Sequence, residues 1–204
     1  MSVHAATTHA SSSPFGIGSK KFGMWLFIIS DALTFATLLI CYAYVRIANP
    51  ESWPAPFAFS PSILFSTGMT LVLLSSSLTM VFGVHAMQHG DRARAVRWIL
   101  LTMLGGAAFV ALHLTEWRHL VAQGMTPAGN PWGSPLFGAA FFGITGLHML
   151  HVTIGVVYLG IIAAGVGRGR FTEEDVEVSG LYWHFVDLVW MFVFPLLYLM
   201  SVKP

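Results

Sequence analysis

The stretch Leu181-Tyr182-Trp183-His184-Phe185-Val186-Asp187-Leu188-Val189-Trp190, apolar onward to Met200, decides how this chain folds. About 20 mostly apolar residues, rising about 1.5 Å each in a helix, cross a bilayer. Yet Asp187 lies about one and a half turns inside that run. An ionised Asp at membrane depth costs about 2.5–3.5 kcal/mol, so it demands a partner, a proton or a wet, protein-lined pocket. His184 precedes it by three residues and Trp190 follows by three, which places all three on one helix face. Trp183 and Trp190 are a heptad apart and nearly eclipse each other. On the residues alone, this polar, aromatic stripe reads as helix-packing glue plus an interfacial aromatic belt.

The composition around it agrees with a membrane setting. The chain is 55% hydrophobic and 9% charged, with a mean hydropathy of +0.71. Soluble domains carry about a quarter charged residues, so this is an integral membrane protein. A net charge of +1 argues against nucleic acid as a partner. The single cysteine, Cys41, lies in an apolar run and reads as a small packing residue.

Five apolar stretches stand out, at about 22–45, 62–87, 98–120, 136–166 and 181–202. No strand-like alternation competes with them, and helices satisfy their own backbone groups in lipid. The expected fold is therefore all-α, an integral membrane bundle of five transmembrane helices spanning 22–204. Residues 1–21, rich in Ser, His and Ala, read as a disordered N-terminal tail without a signal-peptide pattern. Breakers fill the gaps: Asn49-Pro50, Pro54-Ala55-Pro56, Gly90-Asp91, Pro127 to Pro135, and Gly167-Arg168-Gly169. Pro195 is the one proline expected inside a span.

Charge sets the orientation. By alternation, side A carries Lys20, Lys21, Arg92, Arg94, Arg97, Arg168 and Arg170, whereas side B carries only Arg46, Arg118 and Lys203. The positive-inside rule then predicts a cytoplasmic N-terminus and a periplasmic C-terminus. The acidic run Glu173-Glu174-Asp175 with Glu177 falls on side A and reads as a solvated loop or docking surface.

Other polar groups sit where lipid would penalise them. Asp31 lies inside the first span, on its cytoplasmic half. It either pairs with a polar group on a neighbouring helix or belongs to a proton or ion path. His85 and His89 are one turn apart but lack a third ligand nearby, and read as interfacial. In the third span His113, Glu116 and His119 recur at intervals of three; a polar collar with Trp117 at the headgroups competes there with a carboxylate metal site. In the fourth span His148 and His151 share a face among Gly143, Gly146 and Gly155. Their candidate partners are Asp31, Asp187 and Glu116. Ser75-Ser76-Ser77 in the second span suits close helix packing.

Several of these motifs converge on one family. Tyr182 to Trp190 resembles the last-helix signature of subunit III of the haem–copper respiratory oxidases, the cytochrome c and quinol oxidases. Thr145-Gly146-Leu147-His148-Met149-Leu150-His151-Val152 is similar to that family's Thr-Gly-x-His-x-x-His-Val segment. Ile28-Ile29-Ser30-Asp31 matches the place of a membrane-buried glutamate, one methylene longer. Glu116-Trp117, Gly124 and Gly133-Ser134 extend the likeness.

The resemblance implies the short, five-helix form of subunit III in a bacterial inner membrane. It implies no haem or copper in this chain, those belonging to partner subunits, and bound phospholipid in a cleft. It further implies direct docking on oxidase subunit I, with subunit II, a small subunit IV and a respiratory supercomplex as further partners. Its role would be to sustain proton uptake and protect the catalytic subunit, with Asp31 as the buried carboxylate and His148, His151, His184, Asp187, Trp183, Trp190 and Glu116 as the membrane-embedded polar motif. Arg168 and Arg170, at headgroup level, suit a lipid phosphate.

Two readings of other classes stay open. One is a haem-b membrane anchor in which His148 or His151 joins His113 on iron. The other is a proton-coupled transporter using Asp31 and Asp187, which the lack of repeat symmetry disfavours. Redox metals need several histidine or cysteine ligands. One cysteine, and histidines mostly at helix ends or in the tail, argue against electron transfer within this chain.

Overall fold

A computed structural model describes residues 18–202. It contains five long helices: α1 (Ser19–Ala48), α2 (Leu64–Gln88), α3 (Arg92–Ala122), α4 (Pro135–Gly167) and α5 (Glu173–Val193). A π-helical turn, Phe59–Ile63, leads into α2, and α5 continues through Phe194–Tyr198 and Leu199–Ser201. All five are long and apolar enough to cross a membrane, and no β-strand occurs among the described residues. Of the expected N-terminal tail, residues 1–17 lie outside the described residues; Ser19, Lys20 and Lys21 already belong to α1.

The helix starts follow from side-chain caps. The Asp91 carboxylate accepts the Arg94 N–H at 2.9 Å to open α3, and Ser134 precedes Pro135 at the first position of α4. At α5 the expected boundary is corrected. The helix begins at Glu173, not Leu181, and the acidic run is its first turn rather than a solvated loop. Thr172 and Asp175 form a reciprocal capping box, the Thr172 N–H donating to Asp175 Oδ2 at 2.8 Å. Three carboxylates in the first turn also suit the positive end of the helix dipole. Asp187 thus lies near the middle of the continuous helical stretch Glu173–Ser201.

Helices α2, α3, α4 and α5 form a ring in which each packs on the next and α5 returns to α2. Glycines permit the closest approaches. A Cβ at Gly155 would stand 2.9 Å from Trp183 Cζ3 and 3.0 Å from Tyr182 Cε1, so the α4 backbone forms the wall on which these rings rest. Helix α1 lies outside the ring, on the seam of α4 and α5. It fully buries only Ile28, Phe35 and Tyr42, a heptad stripe on one side.

Polar ties hold α1 at its ends. At side A, Lys20 pairs with Asp175 and Lys21 with Glu177, each at 2.6 Å. At side B, Arg46 donates to the Met200 carbonyl, and the Tyr42 and Ser201 hydroxyls lie 3.3 Å apart.

Candidate functional site

The polar stripe of α5 meets a stripe of hydroxyls on α2. Trp183 Nε1–H donates to Ser76 Oγ at 3.1 Å. His184 Nδ1 is 2.8 Å from Ser77 Oγ, and Asp187 lies against the same Ser77 side chain. Trp190 Nε1–H donates to Thr70 Oγ1 at 2.9 Å. Thr70 and Ser76 are themselves buried. The stripe is thus an interhelical zipper in which Trp183, His184 and Trp190 each meet an α2 hydroxyl, while Asp187 Oδ1 has no hydrogen-bond partner among the described residues.

Behind the zipper the rings continue inward. His148 stacks on Trp190 with centroids 4.9 Å apart, and His113 meets the same indole edge-on at 5.4 Å. Phe109 closes the cage, 5.7 Å from His148 and 5.6 Å from His113. Neither imidazole has a hydrogen-bond partner on either nitrogen among the described residues. The haem-anchor reading needs a porphyrin between such histidines. The Trp190 indole and Phe109 fill that space, so this cage does not fit the group. Among the described residues, no three of His, Cys, Asp and Glu are grouped to hold a metal.

His151 points the other way, toward α1. Its Nδ1 is 2.8 Å from the Leu147 carbonyl, and its Nε2 is 3.3 Å from Asp31 Oδ1. Phe35 packs edge-on against the ring at 5.5 Å, and the Tyr182 hydroxyl donates to the His151 carbonyl at 2.9 Å. The two side chains are 12% and 13% exposed, and Asp31 Oδ2 is buried without a hydrogen-bond partner among the described residues. Of the candidate carboxylates for the fourth-helix histidines, Asp31 is the one that reaches His151; none reaches His148.

Glu116 forms a separate cluster near side B. Its Oε2 accepts the Tyr198 hydroxyl at 2.6 Å, its Oε1 is 2.6 Å from Ser66 Oγ, and His113 Nδ1 is 3.9 Å from Oε2. Arg168 and Arg170 are exposed at the side-A end of α4.

Two partner sets were not singled out from sequence. Ser66 and Thr70, one turn apart on α2, are one, while Ser76 and Ser77 read from sequence only as small-residue packing and not as hydrogen-bond partners. Tyr198 carried no local signal, because its role depends on α5 passing Glu116 after the turn at Pro195.

The chain matches the family model described as cytochrome c oxidase subunit III over residues 3–202. It is 32% identical over 189 residues to cytochrome c oxidase subunit 3 of Bacillus subtilis (strain 168), covering 91% of this chain and 88% of that protein. It is 33% identical to cytochrome bo(3) ubiquinol oxidase subunit 3 of Pseudomonas putida, covering 88% and 85%. It is also 33% identical to quinol oxidase subunit 3 of Bacillus spizizenii (strain ATCC 23059 / NRRL B-14472 / W23), covering 88% and 86%.

Proposed function

Because the chain belongs to the cytochrome c oxidase subunit III family, we propose that it is the non-catalytic third subunit of a proton-pumping cytochrome c oxidase, and that its Asp31–His151 pair serves proton uptake by the catalytic subunit. Membership makes it a multi-pass protein of the bacterial inner membrane and a component of a haem–copper terminal oxidase complex. In this reading it docks on subunit I, with subunit II and a small subunit IV beside it. Haem and copper reside in those partners, and side A faces the cytoplasm.

The observation that carries the proton role is the placement of Asp31. A carboxyl within a membrane span is bound to an imidazole 3.3 Å away, on the loosely covered helix α1. A carboxyl beside an imidazole inside a membrane span is the kind of pair from which proton relays are built. Arg168 and Arg170 take a phospholipid phosphate at the cytoplasmic headgroups.

The test is Asp31→Ala in the assembled oxidase. Steady-state oxygen uptake and the number of turnovers before inactivation are both expected to fall. Normal values for both would remove Asp31 from the proton role. A quinol oxidase is the second reading, favoured by relatives of that type at equal identity. A complex purified through a tag on this chain decides: oxygen uptake with reduced cytochrome c supports the first reading, and uptake with quinol alone supports the second.

A further inference from the structure

Glu116 has no place in that proton role, yet it is a carboxyl 8% exposed, deep in the side-B half of the ring. Hydrogen-bond accounting around it is restrictive. Ser66 Oγ lies 3.0 Å from the Ser62 carbonyl as well as 2.6 Å from Glu116 Oε1. Ser66 owns one proton, and the carbonyl can only accept. If Ser66 donates to Ser62, Glu116 Oε1 must donate to Ser66. The Tyr198 hydroxyl meanwhile donates to Oε2. This chain, Tyr198 to Glu116 to Ser66 to the Ser62 carbonyl, uses every proton once and leaves no lone pair facing another.

The charges nearby agree. An ionised, buried carboxylate is costly without a cation, so at rest the carboxyl favours its neutral form. Among the described residues, its one ion-pair partner is His113, at 3.9 Å. His113 as an imidazolium would bury two N–H groups that have no acceptor within hydrogen-bond distance. From α4, His148 packs on the same Phe109 and Trp190 rings as His113, with neither of its nitrogens hydrogen-bonded among the described residues. From α2 and α5 come only the Ser66 and Tyr198 hydroxyls.

Glu116 also borders a cavity of about 270 Å³ walled by Phe57, Phe65, Ser62 and His119. A groove of about 510 Å³ shares Phe57, Ser62 and His119 with it and continues to Gln123 and Trp132 toward side B. A water occupies about 30 Å³ in the liquid, so the volume admits several.

We propose that Glu116 is a second proton-exchange site of this subunit, one that holds its proton at rest and trades it with side-B water through this cavity. In the forward step the Glu116 O–H passes its proton to a cavity water, which leaves as hydronium. The Ser66 hydroxyl turns from the Ser62 carbonyl to donate to Oε1, so the carboxylate then accepts two hydroxyl donors. The reverse step restores the acid. Ser66 serves both states by rotating one torsion.

Infrared difference spectroscopy of the purified oxidase complex in H2O and D2O tests this. A protonated-carboxyl C=O band is expected that shifts in D2O, disappears in Glu116→Gln and persists in Asp31→Asn. Ser62→Phe, which plugs the cavity but keeps the Ser62 carbonyl, is expected to slow the D2O shift. If Glu116→Gln does not assemble, Ser66→Ala stands in, and the band is expected to move because one hydrogen bond is lost. A spectrum unchanged by both Glu116→Gln and Ser66→Ala would mean an ionised Glu116 and overturn the proposal. So would a band that never responds to D2O. Neither result bears on Asp31.

Discussion

Trp190 shows how single residues divide the work. Its indole is fully buried between His148, His113 and Phe109, and its N–H reaches Thr70 on another helix. Interhelical hydrogen bonds in membranes average about 0.6 kcal/mol, whereas truncating a packed aromatic costs about 3–5 kcal/mol. Packing therefore outweighs the polar contact. Trp190→Phe is expected to lower the thermal midpoint of the detergent-solubilised complex slightly, and Trp190→Ala to lower it severely. Gly155→Ala is expected to cost about 1–3 kcal/mol in the same measurement, because its methyl group has no room beside Trp183 and Tyr182. The sequence named Trp183, His184, Asp187 and Trp190 as one stripe, and in the structure all four face hydroxyls of α2. It left open which carboxylate His151 meets, because the choice among Asp31, Asp187 and Glu116 depends on helix rotation, which no local signal encodes.

At the scale of elements, the five spans were legible from hydropathy because lipid leaves helices few alternatives. The start of α5 was misread for a physical reason. Hydropathy reports where a helix enters the hydrocarbon, whereas a capping box reports where the helix begins, and here the two differ by more than two turns. The Thr172 and Asp175 spacing was the available clue. Thr172→Ala is expected to cost about 1 kcal/mol and to speed amide hydrogen exchange over the first turn of α5. The same turn presents Asp175 and Glu177 to Lys20 and Lys21. Exchanging the first pair, as Lys20→Glu with Asp175→Lys, is expected to restore a proximity that Lys20→Glu alone abolishes, read by spin-label distances between α1 and α5. Added salt is expected to loosen that end of α1, since exposed pairs are screened within about 8–10 Å at physiological ionic strength.

For the whole molecule, the ring of α2 to α5 closes without α1, which adds a heptad stripe, the Asp31–His151 pair and a tie at each end. The ring closes on itself, and the attached helix brings Asp31 against His151. Composition and motif spacing revealed the class and family of the chain. The order of packing did not show, because α1 touches partners from the far end of the sequence.

That order has a consequence for biogenesis. The ribosome delivers α1 first, yet its docking surface, built from α4 and α5, emerges last. That earlier helix must therefore wait in the bilayer with an acid that lacks its partner until His151 arrives. Packing of α1 is then completed only after the two later helices it rests on have been made.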